Sequence, residues 1–258
     1  MATSPLVPRE HGTYAELLLP LLTGLALGRL GFAASMFAVS AVLGFLVSEP
    51  VAVLTGVRGT RDRRLMAAEA RRRLVVLASV LVLTGGAAVV TAPAAARLAA
   101  LVPLAGVVAL IPVGLRGRIK TIGGELLVAA TLTATLLPVA LAGGAGWSYS
   151  LAAALVWLVS FVLATLTVHA IKVRSVGSGE AHWTLVLAPT LAGVAIAAGV
   201  VVALTWGWLF MAGLAVLPMA VATLAIHLAR VHARQMRTVG WSLVVANLAT
   251  AALLVAGR

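Results

Sequence analysis

The chain has 258 residues, a formal net charge of +12 and no cysteine. Hydrophobic residues make up 62% and charged residues 10%, against about 25% charged in a soluble domain, and the mean hydropathy is +1.12. Water cannot dissolve so much apolar surface, so a lipid bilayer is the expected solvent, and the missing cysteines exclude disulfides, thiolate metal sites and Cys nucleophiles.

The stretch from Met1 to His11 carries two prolines, Arg9 and Glu10 instead of a basic region leading into a short apolar core. No cleavable signal is expected there, and the first hydrophobic segment should stay as a helix. A spanning helix needs about 20 mostly apolar residues. Cutting the chain at charges and at Gly/Pro breaks predicts nine spans, at 13–28, 32–48, 74–92, 97–114, 123–143, 149–171, 183–205, 207–228 and 238–257. They leave no room for a soluble domain, so residues 1–258 read as one transmembrane domain.

Taken in order, the first span opens on Pro8-Arg9-Glu10-His11-Gly12-Thr13-Tyr14-Ala15-Glu16, the densest polar signature in the chain. A helix beginning near Gly12 would favour anions at its N-terminus. His11 there is a candidate proton carrier or metal ligand, with a capping or hydrogen-bonding role as the plainer reading for a His without other ligands near it. Gly24 and Gly28 form a Gly-x-x-x-Gly, which permits close helix packing. The second span exits through Ser48-Glu49-Pro50 and then Arg58-Gly59-Thr60-Arg61, within the longest polar stretch, 58–73, which reads as a loop. The fourth exits into Arg116-Gly117-Arg118-Ile119-Lys120-Thr121-Ile122-Gly123-Gly124-Glu125. Fixed positive charge beside glycines suits a phosphate or carboxylate group. The sixth exits through His169, Lys172, Arg174, Ser175, Glu180 and His182; His169 and Lys172, three apart, share a helix face. His227 and His232 flank Arg230, five apart and poorly aligned for chelation, and read as interfacial. Trp147, Trp183, Trp206, Trp208 and Trp241 lie at segment ends, as an aromatic belt would. Pro20, Pro138 and Pro218 predict kinks.

With nine spans, sixteen Lys and Arg fall on the side of the N-terminus and three, Arg29, Arg97 and Arg258, on the other. The positive-inside rule then places the N-terminus and the long basic loops in the cytoplasm of a bacterial inner membrane. The net charge needs no nucleic acid, because such arginines are retained by orientation and by anionic lipid headgroups. Seven acids are present. Asp62 and Glu69 sit among loop arginines as solvated partners of little energetic worth. Glu16, Glu49 and Glu125 lie in or beside apolar segments, where a charge costs a few kcal/mol and normally faces the bundle interior with a partner. Each is either half of a structural pair or part of a site.

The run Pro8-Arg9-Glu10-His11-Gly12-Thr13-Tyr14-Ala15, leading into Leu17-Leu18-Leu19-Pro20, resembles the opening of the YwiC-like bacterial membrane proteins. Those begin with an Arg/Asn-Glu-His-Gly-Ala-Trp stretch before a Leu/Pro run. The layout also looks like the UbiA superfamily of prenyltransferases, with nine helices and a cytoplasmic-side pocket framed by the loops after helices two, four and six. Arg118 to Leu126 is similar to the basic Gly-Glu segment that leads into their fifth helix. That resemblance implies an isoprenoid diphosphate held through Mg²⁺ by paired aspartates. Here the chain departs: residues 48–62 offer Glu49 and Asp62 without an Asp-x-x-x-Asp, and 169–182 offer His169 and Glu180 without any Asp. Mg²⁺ prefers hard carboxylate oxygens, so a conventional Mg²⁺-dependent transferase is disfavoured and no cofactor is assigned.

The expectation is therefore an all-α, UbiA-like membrane bundle with a cytoplasm-facing cavity for an isoprenoid, quinone or other anionic amphiphile. Arg9, Glu10, Glu16, Arg58, Arg61, Lys120, Lys172 and Arg174 are the candidate substrate-binding residues. Glu49, Glu125, His11 and His169 are the candidate catalytic or hydrogen-bonding groups. A proton-coupled transporter using Glu16, Glu49 and Glu125 at depth, or an assembly factor for a respiratory complex, is the alternative.

Overall fold

The structure, a computed structural model, describes residues 11–176 and 182–258. The expectations for Arg9, Glu10 and Glu180, and for the side chain of His11, lie outside the described residues. The regular structure of the described residues is α-helix with two short 3₁₀ turns: α1 (His11–Leu27), α2 (Phe32–Leu54), α3 (Thr60–Thr91), α4 (Ala94–Leu115), α5 (Ile122–Ala134), α6 (Leu136–Ala142), α7 (Trp147–Val176), α8 (Thr184–Thr205), α9 (Phe210–Ala215), α10 (Leu217–Leu228) and α11 (Met236–Ala256). Among the described residues, eight helical segments are long and apolar enough to cross a membrane, and Gly12–Leu27 is a shorter apolar helix. These fall one for one on the nine predicted spans.

Two predicted spans are each broken in two. The span from Ile122 divides at Thr135 into α5 and α6, and the span ending at Leu228 divides at Val216 into α9 and α10. Pro138 and Pro218 explain both: each lacks a backbone N–H, and its ring crowds the carbonyl four residues back. Hydroxyls bond backbone carbonyls beside the breaks. Thr135 Oγ1 donates to Leu132 O at 2.5 Å, and Thr250 Oγ1 donates to Ala215 O at 2.9 Å. Pro20 lies inside an unbroken α1.

The stretch 58–73, expected as a loop, is the one clear correction to the predicted elements. From Thr60 onward it is helix, continuous with the third span to Thr91. Arginine, alanine, leucine, methionine and glutamate are good helix formers, and the polarity of Arg61–Arg73 reports solvent instead of a break. α2 likewise runs past Glu49 and Pro50 to Leu54, and α7 continues past residue 171 to Val176.

The chain separates into two compact units, Met1–Ala145 and Gly146–Arg258. In the first, α2 packs along α3, while α1 and α4 pack on α5 and α6, and α2 also meets α6. The Gly-x-x-x-Gly of α1 faces α6. A side chain at Gly24 would crowd Leu136 O and Val139, and one at Gly28 would overlap the backbone of Ala140 and Gly143. That close approach lets Arg29 N–H donate to Gly143 O at 2.7 Å. In the second unit, α8 packs on α7, α9 and α10, and α11 closes on α9 and α10. Gly199 and Gly213 meet backbone to backbone, the close crossing that small residues allow in lipid. Trp157 is fully buried and stacks on Phe161, with ring centroids 5.4 Å apart. The other tryptophans, at helix ends, are about half exposed.

Candidate functional site

In the first unit the described candidates are carried by α1 (Glu16), the end of α2 (Glu49), the turn after it (Arg58), the start of α3 (Arg61), the turn into α5 (Lys120) and the start of α5 (Glu125). Glu49 is buried near the end of α2, and its Oε2 accepts from Arg58 Nη2 at 2.5 Å. The α2–α3 turn is built for this bond. Gly56 and Gly59 adopt positive φ, +81° and +106°, a region that L side chains disfavour. Arg58 N–H donates back to Ala52 O, which folds the guanidinium onto the helix it has just left. The predicted acid/base group and the predicted head-group contact thus occupy each other. The carboxylate is 6% exposed and the guanidinium 26% exposed. A carboxylate this dry is stable only when paired and hydrogen-bonded.

The turn into α5 has a similar explanation. Thr121 caps the helix: its Oγ1 accepts from Gly124 N–H at 3.2 Å and lies 2.7 Å from Arg118 O. A side chain at Gly124 would overlap the carbonyls of Arg118 and Ile119. The close backbone approach expected for a ligand is here an approach of the chain to itself. Glu125 stands in the first turn of α5, where the helix dipole favours an acid. Arg61 and Lys120 are exposed, and Glu16 is half-buried on α1. Tyr14 packs edge-on against Phe45, with centroids 5.1 Å apart, which ties the start of α1 to α2.

The second unit does form a cleft. On α7, Thr167, Ala170, Ile171 and Arg174 fall at i, i+3, i+4 and i+7, one face of a helix. On α10, Thr223, Ile226 and His227 repeat the spacing. These seven residues and Ala188 of α8 line a cleft of about 210 Å³, including its open mouth. Arg174 Nη2 lies 3.4 Å from His227 Nδ1. A guanidinium only donates, so the neutral imidazole accepts at Nδ1 and carries its proton at Nε2. The hydroxyls of Thr167 and Thr223 are 3.2 Å apart, and Thr167 also bonds Leu163 O at 2.7 Å. Ala233 N–H donates to Ser175 Oγ at 3.0 Å, tying the chain after α10 to the end of α7. The result is a narrow cleft with guanidinium, imidazole and hydroxyls among apolar walls. Inside it the space open to a water-sized sphere is only about 10 Å³, room for about one water, so it is a shallow polar notch far below the roughly 300–1,000 Å³ of a drug-sized pocket.

Of the predicted residues that are described, Arg174 alone lines this cleft. Lys172 is exposed, and His169 is half-buried on another face of α7. Sequence reading gives His227 only an interfacial role and does not single out Thr167 or Thr223. His227 lies 53 residues from Arg174, and no local pattern links them. Among the described residues the carboxylates do not gather as a Mg²⁺ site would need. Glu49 is bonded to Arg58, and among the described residues no group of three His, Cys, Asp or Glu side chains converges.

Apolar helices of spanning length and charged residues gathered at their ends define a multi-pass α-helical membrane protein. The family model for YwiC-like proteins matches residues 7–141, just over half the chain. The chain belongs to the YwiC-like family, and the matched region is almost coextensive with the first compact unit. No curated protein and no solved structure matches the chain.

Proposed function

We propose that the protein binds an anionic amphiphile, with the anionic head at Arg174 and the apolar part against helices and lipid. The observation that carries this reading is the cleft between α7, α8 and α10. It sets one guanidinium beside His227, Thr167 and Thr223 and walls them with Ala170, Ile171, Ala188 and Ile226. A guanidinium at such a site favours phosphate or carboxylate, which it can engage with two parallel N–H donors. The basic helix ends face the cytoplasm of a bacterial inner membrane, in keeping with the sixteen-to-three distribution of Lys and Arg. Isoprenoid diphosphates are the first substrate class to test, on the UbiA-like layout of the sequence. Binding in this reading needs no metal. The transporter reading is weaker, because Glu49, its best proton site, is bonded to Arg58.

The test is thermal unfolding of purified protein with isoprenoid diphosphates, and with the matching neutral alcohols as controls. A ligand at about a hundred times its Kd stabilises by about 2.7 kcal/mol. Diphosphates should raise the Tm and the alcohols should not. Arg174→Gln should abolish the shift, while Lys172→Gln should leave it. No shift with any anionic amphiphile, or an equal shift in Arg174→Gln, refutes the proposal.

A further inference from the structure

α3 is 32 residues long, about 48 Å at 1.5 Å per residue, against a hydrocarbon core of about 30 Å. Its apolar part, from Leu74 to Thr91, accounts for about 27 Å. The remaining 60–73 is a charged helix that leaves the bilayer without a break. The packing of α2 on α3 fixes where it leaves. The hydroxyls of Ser40 and Thr84 lie 3.0 Å apart, and Val53 packs on Ala70. These two ties set the helices antiparallel, with Glu49 level with Leu74 and Val75. α3 therefore changes from apolar to charged at the level where α2 carries its single charge, Glu49, and a charge at the end of an apolar span marks the membrane interface.

Arg71, Arg72 and Arg73 stand immediately outside it. Ala70 is fully buried and marks the α2 side of the helix. Successive residues turn 100°, so the three arginines sweep round the flanks and the far side. Arg71 and Arg72 are exposed and Arg73 is half-buried. Among the described residues none of the three forms an ion pair, and Glu69 is the acid nearest in sequence. A second tier, Arg61, Arg63 and Arg64 with Asp62 between them, lies farther along. Arg64, the nearest of them, is about 10 Å beyond Arg71, still more than the Debye length of about 8 Å at physiological salt.

We propose that Arg71, Arg72 and Arg73 form a collar that docks anionic phospholipid headgroups, while the outer arginines lie beyond their reach. Charge complementarity at headgroup depth selects this occupant. The collar is separate from the Arg174 cleft and stands or falls independently of it.

The experiment places the full chain in nanodiscs of equimolar phosphatidylglycerol and phosphatidylcholine, and counts the lipids retained by native mass spectrometry. The wild type should enrich phosphatidylglycerol, less so as salt is raised; no enrichment overturns the proposal. Each headgroup-level arginine adds to the attraction of anionic lipid, so R71Q/R72Q/R73Q should lower the enrichment by about tenfold or more. R71K/R72K/R73K should retain it and shows that the altered helix still folds. R61Q/R63Q/R64Q should match the wild type, and an equal loss there refutes the collar. Inorganic phosphate added to pure phosphatidylcholine discs should not change the Tm; a rise would mark a free-anion site instead.

Discussion

Glu49 and Arg58 show how a residue that looks catalytic in sequence can be architectural. A carboxylate at the end of a span demands a partner, and the partner sits nine residues on, carried back by a turn with two positive-φ glycines. The pair is unequal, since Glu49 is nearly dry and Arg58 is partly hydrated. Removing Arg58 strands a buried carboxylate, whereas removing Glu49 leaves a guanidinium that water can reach. Arg58→Ala should therefore destabilise by about 3 kcal/mol and Glu49→Ala by about 1 kcal/mol, measured by thermal unfolding in detergent. The double variant should cost less than the two singles added together. Equal single effects that add would show that the two side chains do not act as a pair. At the same scale, His227 shows what sequence reading could not reach: its meaning comes from Arg174, which only the packing of α7 beside α10 supplies.

Among the elements, α1 depends on its glycines. Gly28 meets the backbone of Ala140 and Gly143, which cannot move aside as a flexible side chain would. Gly28→Leu should push α1 off α6 and cost about 1–3 kcal/mol. Gly44 on α2 has open space around its Cα. Gly44→Ala should be neutral, or stabilising by up to about 1 kcal/mol through helix propensity. Thermal unfolding of the two variants side by side checks the pair, and similar losses would refute the packing argument. The Gly-x-x-x-Gly was legible because it needs only local spacing. Its partner was not, because α6 lies more than 100 residues away. The α3 extension was misread for a different reason. Polarity marks contact with water, and a helix leaving the membrane meets water without ceasing to be a helix.

At the scale of the whole molecule, alternation of the spans puts Thr60 and Ala229 on the basic side and Ser148 on the other. The chain has no cysteine, so single cysteines can be labelled without background. In intact cells, a membrane-impermeant maleimide should react at Ser148→Cys and should reach Thr60→Cys and Ala229→Cys only after the cells are opened. Labelling of all three in intact cells would overturn the orientation.

The number of spans, their order and the side that carries charge follow from the sequence alone, because hydrophobic transfer and charge placement act on each segment where it stands. So does the family, through a short N-terminal signature that the family model extends to residue 141. What needed the tertiary structure is every pairing between segments. It joined Glu49 to Arg58, seated Gly28 on α6, and brought Arg174 to His227 while leaving Lys172 at the surface. Such contacts depend on helix rotation and register, which period and composition leave open until neighbouring helices close on one another.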